Sequence, residues 1–162
     1  MNRMLIVAAL FATAGAMAAQ SAADPASDAA AVLRRNAKAF ESADMKTLDA
    51  LWAHDADVTV FESGHANYGW SDYRDHHLKP EVEEMKSVKY QLTDIKTRVS
   101  GDTAWSTFKY SISADYKGQR IDSAGLGTAV LENRDGSWKI VHWHTSAPRR
   151  APAQPAPATS PK

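Results

Sequence analysis

From Val88 to Ser146 the hydrophobic pattern has a period of two, and three turn signals cut it into four runs. Ser100-Gly101-Asp102, Lys117-Gly118-Gln119 and Asp135-Gly136 separate Val88–Val99, Ala104–Tyr116, Ile121–Asn133 and Trp138–Ser146. Strands joined this tightly pair antiparallel, so this half of the chain predicts a four-strand meander. Gly125 and Gly127 fall inside the third run and predict a bend or a close backbone approach in a curved sheet. Such a sheet has to cover one face, and the residues before it supply the cover. Residues 25–53 read as two helices. Asp28 is placed to cap the first, with Ala30, Val32, Leu33, Ala37 and Phe40 at helical spacing. Asp44 begins the second, with Leu48, Leu51 and Trp52 on one side. Asp57–Glu62 alternates and puts Val58, Val60 and Glu62 on one face. SGHANYG (63–69) reads as a loop, and Trp70–Met85 as helix, with Pro80 starting its last turns or kinking it.

The order is helices, one strand, a helix, then the meander. That is an α+β fold, helices segregated to one side of an antiparallel sheet. A strongly bent sheet wrapped round helices makes a cone, and ligand sites favour its mouth. Within the last strand, alternation puts Trp138, Ile140, His142, His144 and Ser146 on one face and Lys139, Val141, Trp143 and Thr145 on the other. The first set predicts the interior. The second, with Trp105, Thr107 and Lys109, predicts an outer face whose two tryptophans need covering by a homodimer.

The two ends differ from this core. Arg3, the apolar run Leu5–Ala14 and Ala16-Met17-Ala18 read as a secretory signal over residues 1–23, too short in its apolar part to span a bilayer. A periplasmic or secreted protein, free of the membrane after cleavage, is expected. Residues 148–162 alternate Ala and Pro and predict an extended or disordered spacer. Residues 24–147 between them are one domain's worth. Setting aside Arg3, Arg149, Arg150 and Lys162 leaves 15 basic against 19 acidic residues, a poor balance for nucleic-acid binding. With no cysteine, disulfides, thiol nucleophiles and thiolate metal sites are excluded.

Four segments carry a resemblance: ADMKTLDALWAHDADVTVFESG, GWSDYRDHHLKPEVEEM, GDTAWSTFKYSI and ENRDGSWKIVHWHTS. Together they resemble the SnoaL-like (DUF4440-type) branch of the NTF2-like superfamily over residues 26–147. The resemblance implies a conical α+β barrel with an internal pocket, commonly homodimeric. It does not imply one chemistry, because the fold hosts isomerases, cyclases, dehydratases, binders and association domains. Ketosteroid isomerase, a member of the superfamily, uses an acidic base with a Tyr and a protonated Asp as oxyanion hole. Here Glu62 falls near the base position, but Asn36 and Gly127 stand about where the Tyr and Asp belong, which weighs against steroid isomerisation.

From the residues themselves, Glu62, His142 and His144 are the candidate acid–base groups, on faces otherwise apolar. His77 and Glu81 are one helical turn apart, with Tyr73 one turn before, and lean together. Trp70, Tyr73, His77, Glu81 and Tyr110 are the candidate ligand-binding set. No cofactor is required by this reading. An alternative uses His77, His142, His144 and Glu62 as three nitrogens and one oxygen for a divalent metal such as zinc. The expectation is therefore a small-molecule-binding domain with possible proton-transfer chemistry. A metal-binding protein and a non-catalytic dimerisation module are the alternatives.

Overall fold

A computed structural model describes residues 24–148. The expected leader (1–23), and all but the first residue of the expected tail (148–162), lie outside the described residues. The chain runs α1 (Pro25–Glu41), α2 (Met45–Leu51), β1 (Thr59–Glu62), β2 (His65–Tyr68), a helical stretch from Trp70 to Glu84, then β3 (Lys86–Ser100), β4 (Thr103–Tyr116), β5 (Gln119–Arg134) and β6 (Ser137–Ser146). One six-stranded sheet in the order β2-β1-β6-β5-β4-β3 is antiparallel throughout, except that β1 and β6 run parallel. The meander and the α+β order match the sequence reading.

Local chemistry sets the ends of the elements. Asp24, not Asp28, caps α1: its carboxylate accepts from the Ala26 amide, and Pro25 fills the first helical position, where no N–H is needed. Asp44 caps α2 as expected, accepting from the Thr47 amide at 3.0 Å and the Thr47 hydroxyl at 2.6 Å. The stretch expected to be a loop at 63–69 contains β2. Ser63 (φ 52°) and Gly64 (φ 82°) both sit in the left-handed region, which makes a two-residue hairpin turn between β1 and β2.

The helical stretch has three parts: α3 (Trp70–Tyr73), a π-helical turn (Arg74–Leu78) and α4 (Lys79–Glu84). The Lys79 amide bonds five residues back to the Arg74 carbonyl. Pro80 accounts for the wide turn, since it has no N–H for the His76 carbonyl and its ring pushes that carbonyl away. His77 is carried on this turn.

The core lies between α1, α2, α3 and the concave face of the sheet. Trp52 stacks on Trp70 (centroids 5.4 Å apart) and meets Tyr73 at 5.1 Å, and Trp143 packs on Phe108 at 4.8 Å. A Cβ on Gly127 would enter the Phe108 ring, so glycine is what lets β5 pass under it.

The closing strand departs from simple alternation. Leu131 pairs with Ile140 and Val130 with His142, so Val141 is an extra residue, a β-bulge. Trp138 and Ile140 point into the core before it; Trp143 and Thr145 do so after it. The interior placement expected for His142 and His144 is thereby corrected: both project from the convex face, beside Phe61. Energetics favour the bulge. Without it two imidazoles would be desolvated and Trp143 exposed, a loss of about 3 kcal/mol for the indole alone.

Candidate functional site

The concave side encloses a cavity of about 260 Å³. Its walls come from α1, α2, β1, β2, the helical stretch and β3–β6, and Phe40, Trp52, Tyr73, Tyr90, Tyr110 and Trp143 supply aromatic surface beside aliphatic Leu48, Leu78, Met85, Ile112 and Ile121. One polar cluster interrupts them. Glu62 ends β1 with its carboxylate turned inward, on the face already given by Val58 and Val60, and Thr145 Oγ1 donates to it at 3.4 Å. His77 Nε2 lies 3.6 Å from Glu62 Oε2 and 3.4 Å from Glu81 Oε1. Both carboxylates thus address the same nitrogen.

The other imidazole nitrogen is fixed from behind. Asn67 Nδ2 donates to Asp72 Oδ2 at 2.9 Å, which turns Asn67 Oδ1 toward His77 Nδ1 at 2.9 Å. His77 therefore carries its hydrogen on Nδ1 and offers Nε2 to the two carboxylates. Asp72 also accepts from the Tyr68 amide and from His76, so the anchor is itself held.

Burial pushes the Glu62 carboxyl up to about 7, with Glu81 adding to the rise, while His77, Thr145 and Trp143 oppose it. The Glu81 carboxylate, first by hydrogen bonding and then by charge, holds His77 above the usual imidazole range against its desolvation. Burial raises the Tyr73 and Tyr90 hydroxyls, and the Glu62 charge adds to both. Tyr73 is 5% exposed, and its hydroxyl has no hydrogen-bond partner among the described residues. No fully enclosed side-chain polar atom is left unpaired among the described residues, so this hydroxyl opens on the cavity. Asn36 is already used, accepting from Trp52 Nε1 at 2.9 Å.

Of the residues singled out from sequence, Glu62, Tyr73, His77, Glu81 and Tyr110 line this cavity together. Three do not. Trp70 is buried behind Trp52, with its indole hydrogen bonded to Asp49 and His54 stacked beside it, so its ligand-binding role is corrected to a core role. His142 and His144 are outside, His142 bonded to the Thr59 hydroxyl at 2.7 Å. The expected catalytic pair and the four-ligand metal set therefore do not form. Among the described residues no group of three His, Asp or Glu is arranged to hold a metal ion.

Sequence reasoning missed Tyr90, Trp52, Trp143, Thr145 and Asn67 at the site. Tyr90 was findable, since it alternates with Val88 and Leu92 on β3. Asn67 was hidden in a segment read as loop, and Trp143 and Thr145 were hidden by the bulge.

The site is thus a cone of helix and curved sheet with aromatic walls around an acidic cluster. Residues 29–150 match the SnoaL-like domain. The chain belongs to this family. The match is to the SnoaL-like domain as a whole and does not single out the DUF4440-type branch. Among solved structures, the SnoaL-like chain is similar to a candidate ketosteroid isomerase from Shewanella frigidimarina: 28% identity, TM-score 0.64, 74% of this chain and 94% of that one. A candidate dehydratase of the NTF2-like family from Streptomyces avermitilis shows 22% identity and a TM-score of 0.69, over 76% and 96%. The CaMKII hub of S. rosetta shows 23% identity and 0.63, over 78% and 99%. At these identities the second and third show the NTF2-like fold. No curated protein matches the chain. No helix among the described residues is long and apolar enough to cross a membrane.

Proposed function

We propose that this SnoaL-like domain binds a small, largely apolar molecule in its cone and moves a proton on it, with Glu62 as general base. The observation that carries the reading is the Glu62 carboxylate held inside an aromatic cavity and sharing His77 Nε2 with Glu81. Desolvation makes that carboxylate a stronger base than one in water, and matches it to work near neutrality. Anchored by Asn67, His77 holds Nε2 between the two carboxylates, where its positive charge favours the ionised form of Glu62 that the base needs. Tyr73 and Tyr110 stand where a hydroxyl can donate to an oxygen that gains charge as the proton leaves. The candidate isomerase and dehydratase among the similar structures support this class of chemistry.

The probe is 5-nitrobenzisoxazole, a neutral molecule small enough for the cavity. A base removes its C3 hydrogen while the N–O bond breaks, giving the coloured cyanophenolate. We expect catalysis by the full chain that grows as Glu62 ionises. Glu62→Gln should lower kcat/KM by about 100-fold, the low end for a positioned base. Equal rates for the two proteins would remove Glu62 from the chemistry.

A second reading rests on the convex face, where Trp105 is 42% and Leu126 62% exposed beside Phe61, Val130, His142 and His144. That apolar patch supports a homodimer, although Trp143 does not contribute to it as expected from sequence. Similarity to a CaMKII hub agrees with self-association. Light scattering at micromolar concentration should give twice the chain mass, and a monomer would refute it. Export through the leader, to the periplasm or medium, completes the proposal and is checked by cell fractionation.

A further inference from the structure

The cavity is unbalanced in charge. Glu62 and Glu81 both reach it, and among the described residues neither Lys nor Arg lines it. His77 is the cation between the two carboxylates, and a single imidazolium cannot neutralise both. His65 lies at the rim, exposed. Around the cluster the walls carry the rings of Tyr73, Tyr90, Tyr110 and Trp52, and the face of such a ring attracts positive charge. The Tyr73 hydroxyl, 5% exposed and unpartnered among the described residues, offers an acceptor in the same space.

Resting on the reading that the cavity binds a small molecule, we propose that its ligand is a monocation: an amine whose ammonium is held by Glu81 and Tyr73 and whose apolar body lies against the aromatic walls. Carboxylates and phosphates are excluded by the same charges, since they would bring a third negative charge to a site with one imidazolium. In the empty cavity the proton that Glu62 retains near neutrality stands in for the missing positive charge. Both carboxylates touch His77 Nε2, so an ammonium at Glu81 leaves the neighbouring carbon of the ligand facing Glu62. The binding group and the base are then different residues.

The test uses one apolar body with three head groups: 4-phenylbutylamine, 4-phenylbutanol and 4-phenylbutyrate. Each is titrated into the full chain at pH 8 by calorimetry. The amine should bind at least about tenfold more tightly than the alcohol, the order of one charge-assisted hydrogen bond, and the carboxylate more weakly than either. Glu81→Gln, folded by circular dichroism, should abolish the amine's advantage over the alcohol, and an advantage that survives would overturn the assignment of the ammonium to Glu81. Calorimetry in two buffers near pH 7 should show protons released as the amine binds. Alcohol binding as tightly as amine, or carboxylate binding best, overturns the charge assignment and leaves the pocket intact. Binding by none of the three overturns the pocket reading as well.

Discussion

Replacing Glu62 by Gln keeps the side chain's shape and removes its charge. In the folded protein the carboxyl titrates at about 7 instead of 4.5. At roughly 1.4 kcal/mol per tenfold change, that difference makes ionised Glu62 cost the fold about 3 kcal/mol. The sign follows from proton binding. Between pH 4.5 and about 7 the unfolded chain has given up this proton and the folded chain has kept it, so stability falls as pH rises. Below that range Glu62 and Gln are both neutral, and the two proteins should be nearly equal. Above pH 7 the Gln protein should be more stable by up to about 3 kcal/mol, roughly 10 °C in Tm for a domain of this size. His77 slopes the same way, because its raised value gives stability that is lost as pH climbs through it. That contribution is present in both proteins and largely cancels in the difference. Urea unfolding followed by tryptophan fluorescence, from pH 4.5 to 8.5, reads the divergence directly. Parallel stability curves would show that Glu62 is not desolvated. The base assignment would then lose its physical ground. A stabilised protein that has lost turnover on the nitrobenzisoxazole probe is the signature expected of a strained catalytic carboxylate.

Asn67→Ala frees Nδ1 of His77 and should lower the rate on the same probe about tenfold, with the pH midpoint displaced, whereas a purely structural asparagine would leave that midpoint in place. Because His142 and His144 face outward, His142→Ala with His144→Ala should leave ligand affinity in the cavity within about twofold, as independent distant sites do; calorimetry with the alcohol probe measures it. Overnight chelation should not move the Tm of protein purified without an affinity tag, and a drop of several degrees would restore the metal reading. Gly127→Ala should cost about 1–3 kcal/mol by urea unfolding, since its Cβ meets the Phe108 ring in a packed interior.

Architecture was legible in this sequence because period and punctuation agree. Four alternating runs, three turns and an Asp44 cap leave little choice for residues 44–52 and 88–146. Glu62 was legible for the same reason, as the third inward residue after Val58 and Val60. His77, Glu81 and Tyr73 were legible from helical spacing, although the π turn at Pro80 is what sets them. The two histidines of β6 were misplaced because alternation assumes an unbroken pleat, and an extra residue at Val141 leaves no mark in composition. Trp70 was misjudged because an aromatic residue's type does not say on which side of Trp52 it packs. Asn67 was overlooked because a Ser-Gly turn reads as a loop until β1 and β2 are seen to pair.

The inserted Val141 works as a parity switch for everything that follows it. Regular pairing of the same residues, with Val141 taken into the ladder, would exchange a floor of indole and hydroxyl for one of two imidazoles, whereas deleting Val141 would keep Val130 opposite His142 and leave that floor as it is. One unpaired residue thus decides which of two chemistries the same strand sequence presents at the bottom of the cone.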